Sequence, residues 1–188
     1  MQFKALTAAA LLSLSSAACV PRPSELPAGS RFSLMALRSA SPVHFATFSA
    51  TKSSLFLNLP DQDATCDVED PGYATFYLNE GGLYLYAASA TPQQIYADRS
   101  GMGQGKLGYI TGAQPPPRNA ELDGWVVDEY GNLSLDGAGF LACPDSIQGS
   151  WSLWIDAGVE QPAGNSDCLG ISARTVEVTD PISCQYTS

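Results

Sequence analysis

The residues of this chain that could do chemistry are few, and the most suggestive are four acids beside a tryptophan. Glu121, Asp123, Asp128 and Glu129 lie close in sequence to Trp125. Two carboxylates set across a sugar, beside an aromatic platform, are what glycoside hydrolysis needs. A plainer account competes with it: acids that flank turns keep an acid-rich chain soluble, and that explains all four without a substrate. The only histidine, His44, falls in Pro42-Val-His-Phe45, which reads as a strand. Nucleophilic catalysis through a His base would have to use it, yet no GxSxG elbow occurs. No catalytic residue is therefore assigned. One histidine cannot build a His-rich metal centre, and the acids do not follow an EF-hand loop, although composition leaves calcium open. Gly103-Gln-Gly-Lys-Leu-Gly108 matches GxGxxG but runs into Tyr109-Ile-Thr-Gly and Pro115-Pro-Pro117, not into a helix that could hold a pyrophosphate. No metal or cofactor is expected.

The cysteines are better suited to structure. Cys66, Cys143, Cys168 and Cys184 are well spread, without a CxxC pair. In an oxidising compartment they would form two disulfides, in any of three connectivities that the sequence does not choose between. Cys19 is left over.

Export is the expectation at the other end of the chain too. Lys4 supplies a positive start, Ala5–Leu14 a short apolar run, and Ser16-Ala17-Ala18 the small residues a signal peptidase reads. Residues 1–18 are expected to be a signal peptide, whose removal places Cys19 at the new N-terminus. A lipoprotein signal would want an aliphatic residue where Ser16 stands. The apolar run is too short to span a bilayer, and the polar tail Asp180–Ser188 does not resemble a GPI signal. With 9 Lys plus Arg against 19 Asp plus Glu, the formal charge is −10. Such a surface repels phosphate backbones and anionic headgroups, so neither nucleic acid nor membrane is an expected partner. Neutral polysaccharide is compatible with it.

The elements that must position these residues read as strands. Residues 19–30 carry three prolines and form an extended lead-in. Residues 31–188 read as a single β domain of short alternating segments punctuated by Gly, Pro, Asn and Asp. The predicted strands are Phe32–Leu37, Val43–Phe48, Ser54–Leu59, Ala74–Asn79, Leu83–Ala87, Gln94–Ala97, Leu107–Thr111, Gly124–Asp128, Leu133–Leu135, Phe140–Ala142, Ser152–Ile155 and Ile171–Val178. A pattern of aromatic, apolar, Asp or Asn, Glu, Gly, then Leu-x-Leu occurs twice, at Phe76–Tyr86 and Trp125–Leu135, and each copy reads as a hairpin with glycine in the turn. About a dozen short strands with repeated hairpins favour an all-β, β-trefoil-like barrel, with a β-sandwich as the alternative.

Alternation should send about half of Tyr73, Tyr77, Tyr84, Tyr86, Tyr96, Tyr109, Trp125, Trp151 and Trp154 outward, where an aromatic face can stack on sugar rings. Trp151 and Trp154 are read as core residues, because apolar residues interleave them. Asn132-Leu133-Ser134 is the one N-glycosylation sequon, at the second hairpin turn, and makes Asn132 a candidate glycan site; a chance triplet is the alternative.

One block of sequence is distinctive. It runs from Ala87-Ala-Ser-Ala-Thr-Pro92 and Gln93-Gln94 through Asp98-Arg-Ser-Gly-Met-Gly-Gln-Gly-Lys106 and Leu107-Gly-Tyr-Ile-Thr-Gly-Ala-Gln114. With Leu141-Ala-Cys-Pro144 and Ala163-Gly-Asn-Ser-Asp-Cys168, it resembles the PhiA-type cell wall proteins of filamentous fungi, over roughly Phe32 to Cys184. Gly124-Trp125, Gly131-Asn-Leu-Ser-Leu135, Phe140-Leu-Ala-Cys143 and Ser152-Leu-Trp154 more distantly resemble the C-terminal cysteine domain of Pir-type wall proteins, whose glutamine-containing repeats are absent here. The PhiA resemblance implies a secreted, wall-associated protein needed for phialide and conidium development, with a role in stress protection and no catalytic residues. Its expected partners are wall polysaccharide, β-glucan or similar, or other wall proteins. A freely secreted carbohydrate-binding or defence protein is the alternative, and a carbohydrate-active enzyme using the acids near Trp125 the third reading.

Overall fold

Short runs with period-two alternation can bury one face only if their other edges are paired, and here a closed ring pairs them. The computed structural model describes Leu26, Pro27, residues 29–89 and residues 91–188. The expected signal peptide, Cys19 and most of the lead-in lie outside the described residues.

Fourteen strands are present among the described residues: β1 (Phe32–Leu37), β2 (Phe48–Thr51), β3 (Ser54–Leu57), β4 (Thr65–Cys66), β5 (Thr75–Asn79), β6 (Gly82–Leu85), β7 (Gln93–Asp98), β8 (Lys106–Thr111), β9 (Trp125–Val127), β10 (Asn132–Leu135), β11 (Phe140–Cys143), β12 (Trp151–Ile155), β13 (Leu169–Glu177) and β14 (Cys184–Gln185). The main sheet runs β1-β5-β6-β7-β8-β3-β12-β11-β13, and β13 pairs back onto β1 from Leu37↔Ser172 to Phe32↔Glu177. Nine antiparallel strands thus close into a barrel, so the barrel holds and the sandwich does not. The β9–β10 hairpin hangs from β13, β2 from β3, and β14 pairs with β4.

Phe32, Leu34 and Ala36 of β1, Leu83 and Leu85 of β6, Leu133 and Leu135 of β10, and Leu153 and Ile155 of β12 share one core. Phe140 links the hairpin to the ring. It meets Phe48 edge-on at 5.6 Å and stacks on Trp125 at 6.3 Å. Both repeated patterns are hairpins. β5 and β6 turn through Glu80 and Gly81, both at positive φ, and β9 and β10 turn through Asp128–Gly131. The two are not equivalent, since the first lies in the ring and the second outside it.

One predicted strand is misplaced. Val43–Phe48 is mostly a turn, and the strand begins at Phe48. Ala40 and Phe45 have positive φ, and the loop is closed by Phe45 N–H to Ala36 O and Ala36 N–H to Ala46 O (both 2.8 Å). Val43 is buried from the turn, so its alternation with Phe45 imitates a strand. β4 and β14 were not predicted. Two residues each give no alternation to read, and they meet through the Cys66–Cys184 bridge. The second bridge joins Cys143 to Cys168.

Candidate functional site

The four acids near Trp125 are not gathered into one pairing: Glu121 and Asp128 are held by different partners, and Asp128 and Glu129 line a groove. Glu121 is drawn to β7 by a bridge with Ala97, and its carboxylate takes Arg99 Nε at 3.0 Å on both oxygens, while the Arg99 guanidinium also reaches Asp136 Oδ2 at 3.1 Å. Hydrogen bonding from Arg99 holds the Glu121 carboxyl below its usual range, against an opposing effect of burial. Asp128 closes the β9–β10 turn. Its Oδ1 accepts the N–H of Tyr130 (2.9 Å) and of Asn132 (2.8 Å), and its Oδ2 accepts from Asn132 Nδ2 at 3.2 Å. Those bonds, the Asn132 N–H first, lower its pKa. Trp125 is only 2% exposed, so it packs the core and offers no platform to a sugar. Neither Arg99 nor Asp136 was singled out in the sequence, because residues 22 and 37 apart show no spacing signal for an ion pair.

The Arg99–Glu121 pair makes a pH prediction. A carboxyl whose folded pKa is depressed contributes its stability above the ordinary value of about 4.5, and loses it as pH falls through the folded value. The pair is partly solvated, so the contribution is under about 1 kcal/mol. In Arg99→Gln, carboxyl NMR should show Glu121 titrating closer to pH 4.5, and the acid-side loss of stability should flatten. An unmoved Glu121 titration would assign the depression to something other than Arg99.

His44 sits in the turn, with its Nδ1 accepting the Arg38 N–H at 3.1 Å and its ring stacked on Phe45. No hydroxyl or carboxylate is bonded to it among the described residues. The GxGxxG segment runs from the β7–β8 connection into β8, and its glycines serve packing. A Cβ on Gly103 would lie 2.1 Å from the Asp98 carboxyl carbon, and one on Gly105 would lie 2.0 Å from Ile155 O. Among the described residues no three His, Cys, Asp or Glu side chains gather as a metal site would require.

The aromatics divide by strand face. Trp151, Leu153 and Ile155 point inward, and Trp151 packs on the core. Trp154 is on the outer side, its indole N–H donated to Ser152 Oγ at 3.1 Å. A separation of three residues on a strand puts the two tryptophans on opposite faces, so the core reading holds for Trp151 alone. On the outer face of β5–β6, Tyr77 and Tyr84 stack at 5.2 Å. The Arg31 guanidinium sits 4.5 Å from the Tyr77 ring and 4.9 Å from the Tyr86 ring. These rings spend faces on each other and on Arg31, clasping the start of β1 to the barrel.

A groove of about 570 Å³ lies between the two hairpins. Phe32 and Trp125 line its base, Leu78–Glu80 one side, Val126–Glu129 the other, and Leu26, Pro27, Gly29 and Ser30 the third. Glu80, Asp128 and Glu129 rim it, and Val126 is 51% exposed within it. In sequence Glu80 reads only as a turn residue of the first hairpin, which it also is.

The fold and this surface define an acidic, disulfide-bonded β-barrel whose best-placed carboxylates serve an ion pair, a turn and the rim of a groove. The family described as PhiA-like secreted protein matches residues 32–187, and the chain belongs to that family. It is 53% identical over 189 residues to the cell wall protein phiA of Aspergillus fumigatus, covering 100% of both chains. It is 50% identical over 158 residues to the cell wall protein phiA of Emericella nidulans (84% of this chain, 86% of that one). To that of Aspergillus niger it is 46% identical over 186 residues, covering 99% and 96%. No solved structure gives a significant match.

Proposed function

We propose that this protein is a non-catalytic component of the fungal cell wall, exported through a signal peptide at residues 1–18 and held by wall polysaccharide or neighbouring wall proteins. The observation that carries the reading is end-to-end similarity to proteins named as cell wall proteins. The geometry supports its non-catalytic part: Glu121 is tied to Arg99 and Asp128 to its own turn, so neither is free to act as one of a pair across a glycosidic bond. Two disulfides and a closed barrel without open ring edges suit persistence outside the cell. A part in phialide and conidium development, with stress protection, follows from the family resemblance. Asn132 carries a glycan in this reading; its Nδ2 keeps one hydrogen for Asp128 and gives up the other.

The test is fractionation of a tagged protein between medium and purified walls, extracted in turn with hot detergent, reductant and mild alkali. Retention until reductant or alkali is expected, and the releasing step identifies the linkage as a disulfide, with Cys19 a candidate, or an ester. Treatment of the released protein with N-glycosidase should lower its mass, and Asn132→Gln should abolish that shift. Recovery almost wholly in the medium would favour a freely secreted binder instead.

A further inference from the structure

From the groove between the β5–β6 and β9–β10 hairpins we infer a binding site for a polycationic wall glycan, a chain of amino sugars with free amines such as polyglucosamine. The choice of a polysaccharide rests on the wall reading above. The choice of a cationic one rests on the groove. Among the described residues that line it none is a Lys or Arg, while Glu80, Asp128 and Glu129 all belong to it. The chain as a whole carries −10, so the background field is negative as well. Asp128 has its oxygens engaged in the turn and contributes field, with Arg174 the cation that acts on it. Glu80 and Glu129 are exposed and accept no hydrogen bond among the described residues, so they are the groups that would meet ammonium.

Between the acids the surface is apolar, with Leu78 and Val126 on opposite sides and Phe32 beneath, which suits the C–H face of a pyranose ring. Trp125 closes the base from beneath, only 2% exposed. The volume of about 570 Å³ is in the range of pockets that hold small ligands or a few sugar units. An added peptide strand fits less well. β9 ends the sheet path but is three residues long, and its Trp125 N–H already goes to Gly81 O at 3.0 Å. Too little main chain is left to pair with a strand, whereas a glycan needs none. A neutral glucan would leave the carboxylates without partners.

The test uses the full secreted chain and measures binding of a glucosamine hexamer against an N-acetylglucosamine hexamer and a β-1,3-glucan hexamer, in mildly acidic, low-salt buffer. The free-amine hexamer should bind at least about ten-fold more tightly than either, with affinity falling as salt rises. Glu80→Gln with Glu129→Gln, and separately Val126→Arg, should each weaken it at least about ten-fold. Asp145→Asn with Glu160→Gln removes the same charge at exposed sites off the groove and should leave binding unchanged. Thermal melts of all three variants should match the parent. Equal binding of the acetylated hexamer, an equal loss in the off-groove variant, or preference for an oligolysine of matched charge would each overturn the inference. The wall reading fails or stands separately: wall retention without hexamer binding would sink only the groove, and recovery in the medium would sink the wall reading whatever the hexamer does.

Discussion

Replacing Cys66 and Cys184 together by serine is expected to lower the unfolding free energy by about 5 kcal/mol, against about 3.5 kcal/mol for Cys143 and Cys168. The ranking follows from loop length. The first bridge spans a sequence separation of 118 and the second only 25, and a longer closed loop removes more conformational entropy from the unfolded chain. The first bridge also anchors a segment with much to lose. Beyond Cys184, Tyr186 is 2% exposed in the core, and its N–H and C=O are both clamped by the Gln93 amide, at 2.9 and 2.8 Å. Thr187 O accepts from Ser53 N–H and from the Tyr109 hydroxyl, and its Oγ1 meets Thr51 Oγ1 at 2.9 Å. Burial raises the pKa of both Tyr109 and Tyr186, so neither ring leaves this packing by ionising under ordinary conditions. Guanidinium unfolding of the two double-serine variants measures the ranking, and amide exchange locates it. Residues 184–187 should lose protection first in the Cys66/Cys184 variant. Equal costs for the two bridges would mean that loop closure does not govern their contribution.

Gly105→Ala should destabilise the protein by about 3 kcal/mol or more, while Gly101→Ala, four residues earlier in the same loop, should be close to neutral. Gly105 has φ +92°, where an L-residue is strained by roughly 1–2 kcal/mol. The added methyl would sit 2.0 Å from Ile155 O, a main-chain atom, and the backbone shift needed to relieve it adds about 1–3 kcal/mol. Relief by movement is costly here, because Gly105 O accepts the Ile155 N–H at 2.8 Å and Gly105 N–H is donated to Asp98 O at 2.8 Å. A Cβ on Gly101 would meet nothing within 4 Å, and its φ is ordinary. Denaturant midpoints of the two variants decide the matter. A stable Gly105→Ala would mean that the glycines of this segment are there for something other than close packing.

That segment shows how far sequence reading reached. Gly103–Gly108 matched a phosphate-binding pattern by letters, and the absence of a following helix was enough to reject it, because a pyrophosphate needs a helix N-terminus. What the glycines do instead was illegible, since Ile155 and Asp98 approach them only in the folded chain. Strands with real alternation, such as Phe32–Leu37, were readable because period two is a local property. Val43–Phe48 misled for the same reason: Val43 reaches the core from a turn held by hydrogen bonds to Ala36. Both hairpins were legible from Gly and Asp at their turns, as was a disulfide framework from four spread cysteines. The pairing was not, because it depends on Thr65–Cys66 meeting Cys184–Gln185 across the fold.

The sequence by itself therefore determined an exported, acidic, all-β chain of short strands, since charge, alternation and turn residues are each local. Tertiary structure alone decided that the ring closes with nine strands, that Trp125 is core, that Glu121 is spent on Arg99, and that Glu80 and Glu129 share a groove. The physical reason is that closure, ion pairing and concavity are relations between segments distant along the chain, and no spacing within one segment encodes them.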